Sequence, residues 1–295
     1  MGADVIEPDV VRTRDGVLVV RHENEISGTT DVASRPLFAH RRTTQTIDGK
    51  AVTGWFTEHF TLAELKTLRA TERLPELRPA SAAHDGSFEI PTLDEVVALA
   101  QELGAARGRP VGIYPETKHP THFREIGLPL EGELIRTLHR AGHTSREAPA
   151  WIQSFEVGNL RALREQTDLR LVQLADASGG PFDQPATLYR AMLTPAGLAE
   201  VATYADAVGV AKALVLDPRT LAPTALVRDA HDAGLAVHVW TLRAENAFLP
   251  PLLRSVGRTP ADPGDLAAEA RALRDAGVDG VFTDFPDLVR DALAR

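Results

Sequence analysis

The 295-residue chain has no cysteine. Disulfides, thiolate metal sites and cysteine nucleophiles are therefore excluded. It has no apolar run long enough to span a membrane. Its first eleven residues carry neither the basic segment nor the apolar stretch of a leader peptide, and Ile6 stands where a myristoylation signal needs Ser or Thr. As written, the chain is expected to stay in the cytoplasm. It also lacks positive charge. Lys+Arg 32 against Asp+Glu 41 leaves a net charge of -9, so its overall field does not attract nucleic acid. No P-loop, dinucleotide fingerprint or HExxH motif occurs, and neither Ser154 nor Ser178 sits in a nucleophile elbow. What remains is 43% apolar and 25% charged residues, the profile of a globular chain able to bury a large core.

Short apolar or β-branched runs alternate with amphipathic stretches. Strands are predicted over residues 5–10, 111–116, 150–155, 169–174, 205–210, 236–240 and 280–283. Helices are predicted over 62–68, 92–105, 131–141, 156–165, 195–204, 218–233 and 265–276. Thr92-Leu93-Asp94-Glu95 reads as a capping box, Gly142, Gly234 and Gly277 as helix ends, and Asp217-Pro218 as a helix start. Alternation of this kind indicates a parallel sheet, either a (β/α)8 barrel lacking one strand or an open seven-stranded sheet. Residues 23–89 exceed any ordinary βα loop. They read as an insertion over the mouth of one domain spanning 1–295.

Glu7 and Asp9 stand two apart on a predicted strand, which places both carboxylates on one face. Such a pair is costly without a cation. Glu116 ends another strand and supplies a third acid. Three oxygen donors suit a hard ion, Ca²⁺ or Mg²⁺; the alternative is a set of surface acids near strand ends. Lysine is scarce: Lys50, Lys66, Lys118 and Lys212 are the whole supply. Lys118, two residues beyond Glu116, has three readings: a point charge for a phosphate, a Schiff-base amine, or a salt-bridge partner of Glu116. His22 is placed to protonate a leaving oxygen, with His59, His119, His122, His143 and His238 as rivals. Trp240 ends a strand, where an aromatic either lines a pocket or packs.

Taken together, several segments resemble the glycerophosphodiester phosphodiesterase family, in its bacterial periplasmic or secreted branch. They are residues 2–10, Thr13-Arg14-Asp15-Gly16, Val19-Val20-Arg21-His22-Glu23, residues 90–95, Pro115-Glu116-Thr117-Lys118, Val239-Trp240-Thr241 and residues 279–286. The resemblance implies a TIM-type α/β barrel that hydrolyses glycerophosphodiesters to glycerol 3-phosphate and an alcohol. By the same resemblance Glu7, Asp9 and Glu116 match metal ligands for Ca²⁺ or Mg²⁺. His22 matches a general acid, Lys118 a phosphate ligand and Trp240 a pocket aromatic. The implied partner is a small-molecule glycerophosphodiester, with no nucleic acid and no transmembrane segment. Glu23 stands where many members have Asp.

One feature of the family is not found. Members open their first strand with His-Arg-Gly, which supplies a second acid–base histidine, and no such tripeptide occurs here. His40-Arg41 lies inside the insertion. The expectation is a barrel without its first strand and helix, arising from a shortened product or a misplaced gene start. Its strand edges would be exposed, and its activity would be lowered by about 10²–10⁴-fold, the share of one positioned acid or base. An upstream start would make an extracytoplasmic location open to it. The alternatives are a non-catalytic remnant that still binds metal and phosphate, and a Schiff-base aldolase using Lys118.

Overall fold

Strands and helices alternate along the chain, as the periodicity predicts. The computed structural model describes Met1–Gly257 and Thr259–Ala294. The chain divides into two compact units, Val5–Ile152 and Met1–Asp4 with Gln153–Arg295.

In the first unit, β1 (Val5–Ile6), β2 (Asp9–Arg12) and β3 (Leu18–Val20) precede the insertion. The predicted strand 5–10 is thus interrupted at Glu7-Pro8. Likewise the strand predicted over 111–116 splits into β6 (Gly112–Ile113) and β7 (Glu116–Thr117), interrupted at Tyr114-Pro115. Prolines lack the N–H that a ladder needs. Pairing nevertheless stays in step: Tyr114 N–H donates to Ile6 O, Glu116 N–H to Pro8 O and Lys118 N–H to Val10 O. In a parallel ladder alternate residues serve one neighbour, so Pro115 falls where no N–H is required on this side. Asp9 and Glu116 end as register partners.

The insertion is structured. A hairpin of β4 (Thr43–Ile47) and β5 (Lys50–Gly54) turns at Asp48-Gly49, both at positive φ (47° and 75°). That dipeptide suits a tight hairpin turn. Short helices α1 (Leu62–Leu65) and α2 (Pro79–Ala82) follow. Helix α1 is shorter than the 62–68 prediction because Thr67 and Leu68 close tighter turns onto Glu64 and Leu65. Phe38, Phe56, Phe60, Leu65 and Leu68 bury the apolar side of the insertion. Thr92 caps α3 (Leu93–Arg107) with both halves of the capping box formed. Helices α4 (Pro120–Glu125) and α5 (Glu131–Arg140) complete the unit, and β8 (Trp151–Ser154) crosses its boundary.

The second unit is a run of parallel strands, β9 (Arg170–Ala175), β10 (Ala207–Ala211), β11 (Ala236–Leu242) and β12 (Gly280–Thr283), paired in that order. Helix α6 (Val157–Arg164) precedes them, and α7 (Tyr189–Met192), α8 (Pro195–Val201), α9 (Leu226–Asp232), α10 (Leu266–Asp275) and α11 (Pro286–Leu293) lie between and after them. Strands β9 and β10 are almost wholly buried, whereas β12 is half-buried throughout. The helix predicted from Asp217-Pro218 does not form there. Asp217 does accept hydrogen bonds from the Arg219 and Thr220 amides, but the turn ends at Leu221 with φ 61°. Pro223 has no N–H for a helical bond to Arg219 and disfavours helical geometry in the residue before it, so α9 waits until Leu226. Among the described residues, no helix is long and apolar enough to cross a membrane.

Candidate functional site

The ladder register brings together the acids that the sequence separates by more than a hundred positions. Ligand oxygens of Glu7, Asp9 and Glu116 all lie within 4.8 Å of one another. Asp9 opens β2 and Glu116 opens β7, while Glu7 sits at the break between β1 and β2. Spacing by two keeps Glu7 and Asp9 on one side despite that break. Glu116 is buried, Asp9 half-buried and Glu7 exposed, so the cluster grades from floor to opening.

Lys118 lies two residues beyond Glu116, so its side chain shares that side of the chain. Its Nζ is 2.9 Å from Glu116 Oε1 and 3.7 Å from Asp9 Oδ1. Burial would lower the lysine pKa, but the Glu116 and Asp9 charges outweigh it and hold the ammonium form. That protonation opposes a Schiff-base role, which needs a free amine. Glu116 is pulled the other way. Burial pushes its pKa up, Lys118 opposes, and Asp9 adds to the rise.

His22 follows β3 and is largely exposed, with its side chain 68% accessible. Its Nδ1 donates to Glu23 Oε1 at 2.9 Å, which leaves Nε2 pointing away from that bond. Glu23 is shared: His119 Nε2 donates to its other oxygen at 2.9 Å. His119 Nδ1 in turn donates to Asp48 Oδ2 at 2.6 Å, at the tip of the β4–β5 hairpin. Burial opposes ionisation of both Glu23 and His119. The His119 and His22 bonds nonetheless hold Glu23 well below the usual carboxylate range, and the Asp48 and Glu23 bonds push His119 up to about 9. Sequence reading singled out His22 and named His119 only as a rival. It gave no role to Glu23 or Asp48. The one available signal was Asp48-Gly49 between two alternating runs, a hairpin turn.

The other histidines have separate surroundings. His122 donates to buried Glu58 at 2.9 Å. His238 lies on β11 in the second unit, where burial pushes its pKa down to about 4 against the pull of Asp279. His59 helps line a concavity of about 420 Å³ with Arg14, Arg41, Thr43 and Glu58, a hollow to which the acidic cluster contributes nothing. Arg41 there is committed to Glu64 through both ends of its guanidinium. Trp240 is in the second unit, with its ring edge-on to Phe155 at 6.0 Å and a buried indole N–H that meets no acceptor among the described residues.

Known proteins resemble this chain over most of its length. The profile of the glycerophosphoryl diester phosphodiesterase family matches residues 1–288. A glycerophosphodiester phosphodiesterase of Arabidopsis thaliana is 33% identical over 299 residues, covering 96% of this chain and 76% of that protein. Among solved structures, a putative glycerophosphoryl diester phosphodiesterase from Silicibacter pomeroyi aligns with a TM-score of 0.65 at 21% identity, covering 99% of this chain and 83% of that one. An Oleispira antarctica phosphodiesterase, solved in complex with its product sn-glycerol-3-phosphate, aligns with a TM-score of 0.59 at 19% identity, covering 100% and 86%. The structural likenesses establish the fold class, α/β of the TIM-barrel type. With a match that runs from the first residue almost to the last, the chain belongs to the glycerophosphoryl diester phosphodiesterase family of enzymes.

Proposed function

We propose that this enzyme hydrolyses glycerophosphodiesters to glycerol 3-phosphate and an alcohol, with Glu7, Asp9 and Glu116 holding a divalent cation, Ca²⁺ or Mg²⁺. The observation that carries the reading is the convergence of three carboxylates, one of them buried. Burial of Glu116 disfavours its charge, and a hard cation among oxygen donors removes that cost. The donor set therefore fits the ion. When bound, such an ion offsets the negative charge that builds on the phosphate oxygens during cleavage.

The remaining work falls to the side chains. Lys118, held charged, gives the phosphate a second positive contact. His22, with Nδ1 fixed by Glu23, presents Nε2 to the departing alkoxide. The P–O bond to the alcohol breaks, its electron pair leaves with that oxygen, and the Nε2 proton moves onto it. A water oxygen forms the new P–O bond and its proton passes to solvent; where the neighbouring glycerol hydroxyl attacks instead, it loses its proton to solvent and water then opens the cyclic phosphate to glycerol 3-phosphate. For Trp240 the support is its own unpartnered indole N–H, a donor suited to a substrate oxygen.

Glycerol 3-phosphate release from glycerophosphocholine, with Ca²⁺ or Mg²⁺ and then with chelator, tests the reading. Product that appears with either ion, and not with chelator or in Glu116→Gln, supports it. Ion and substrate binding measured by calorimetry without product would favour a binding remnant instead. Trp240→Ala is expected to raise KM more than it lowers kcat.

A further inference from the structure

We infer that His119 and Asp48 are positioning residues for catalysis, acting through Glu23 on His22. The inference rests on the acid role proposed for His22 and adds the insertion hairpin to the machinery of that site.

The geometry is a continuous chain of three bonds. Asp48 Oδ2 accepts from His119 Nδ1 at 2.6 Å, and His119 Nε2 donates to Glu23 Oε2 at 2.9 Å. Glu23 Oε1 then accepts from His22 Nδ1 at 2.9 Å. Without His119, Glu23 is a half-exposed carboxylate adjacent in sequence to His22, free to turn to water. An exposed ion pair of that kind is worth little. With His119, one of its oxygens is pinned and the other faces His22.

Two features of the backbone single out His119. It has a left-handed φ of 49° immediately before Pro120, the first residue of α4. Few side-chain-bearing residues adopt that region, and a following proline restricts the backbone further. Local strain of this sort persists where surrounding contacts enforce it. Here the enforcing contacts are the two carboxylates. Its side chain is 14% accessible, and it is clamped from both ring nitrogens. Asp48 also has a left-handed φ, in a turn whose only other central residue is Gly49. The hairpin therefore places a carboxylate against a strained histidine: the Asp48 side chain is 30% accessible, and its second oxygen is buried and meets no donor among the described residues.

The physical consequence is orientational. An imidazole that must protonate an alkoxide works within a narrow range of distance and angle. Partners one layer out commonly carry about a tenfold to hundredfold share of activity. The acidic cluster includes neither His119 nor Asp48, so the effect is expected in kcat.

The test uses the full chain with glycerophosphocholine and Ca²⁺. His119→Ala is expected to lower kcat by about tenfold to a hundredfold, with KM and calorimetric Ca²⁺ affinity unchanged. Asp48→Asn keeps the turn and an acceptor oxygen, so it should lose less than Asp48→Ala. The double variant Glu23→Gln with His119→Ala should lose no more than Glu23→Gln alone, because both act through one chain. If His119→Ala does not fold, His119→Asn, which tolerates the left-handed backbone and keeps one donor, carries the same test with a smaller loss. An unchanged kcat overturns the inference. So do additive losses in the double variant, or Ca²⁺ affinity falling together with kcat. His22→Asn separates the two levels. If it is fully active, the proposed mechanism falls and takes this inference with it. If it is inactive while His119→Ala is normal, only the inference falls.

Discussion

Glu58 and Glu116 are buried to almost the same degree, 6% and 8% accessible, yet their carboxyl groups are driven in opposite directions. Burial raises both. Glu58 collects donors that outweigh it: His122 Nε2 at 2.9 Å, Gln45 Nε2 at 2.9 Å, Asn24 Nδ2 at 3.0 Å and Thr57 Oγ1 at 3.3 Å. Those donors come from the insertion and α4, so the carboxylate ties these two segments together. Glu116 has Lys118 as its donor and two further acids as neighbours. Depth is the same, but only one of the two is electrically complete. A buried acid held by four donors is a structural tie. A buried acid crowded by its own kind is where a cation belongs.

Substitutions can break that contrast. Glu58→Ala should cost the most stability, about 3–5 kcal/mol, because it strands a buried histidine and the buried Asn24 amide. Denaturant unfolding measures this, and Ca²⁺ affinity of the folded fraction should stay unchanged. Glu116→Gln should do the reverse. It should weaken Ca²⁺ binding by at least about a hundredfold, the upper end of what an outer partner costs. It should leave the ion-free midpoint of unfolding level or higher, since a crowded charge has gone. If Glu116→Gln instead unfolds the protein and Glu58→Ala abolishes ion binding, the distinction fails.

Two histidines sharpen the same contrast through pH. His119, raised from 6.5 to about 9 against burial by Asp48 and Glu23, adds stability that is full below pH 6.5 and is lost as pH climbs through 9. His238, lowered by burial from 6.5 to about 4, adds stability that is present above 6.5 and is lost as pH falls toward 4. Stability measured against pH should therefore lose its alkaline slope in His119→Ala and its acid slope in His238→Asn. The smallest effect is expected at Asp217, which caps a turn and no helix. Asp217→Ala should lower stability only slightly, with no change in helix content by circular dichroism.

The sequence made much of this legible where the signal was local. Thr92 and Glu95 formed their capping box because both partners lie within one turn. Residues 280–283 were a strand as predicted. The errors fell where a proline within the segment overruled the pattern around it. Pro8 and Pro115 broke two strands without disturbing their register, and Pro223 cancelled a helix start at Asp217 that was locally sound. Residue types and spacing pointed to Glu7, Asp9, Glu116, Lys118 and His22, because acids at strand ends and a rare lysine stand out against an apolar pattern.

Composition and spacing by themselves determined the alternating strand–helix class, the oxygen character of the acidic cluster and the exclusion of thiol chemistry. These follow from periodicity and from which atoms the side chains carry. Tertiary structure alone decided which carboxylate is satisfied and which is crowded, and that His119 joins a hairpin tip to the histidine beside β3. Those outcomes depend on groups dozens of residues apart meeting within hydrogen-bond distance. No local pattern encodes that, because the meeting is set by how strands pair and where an insertion turns back.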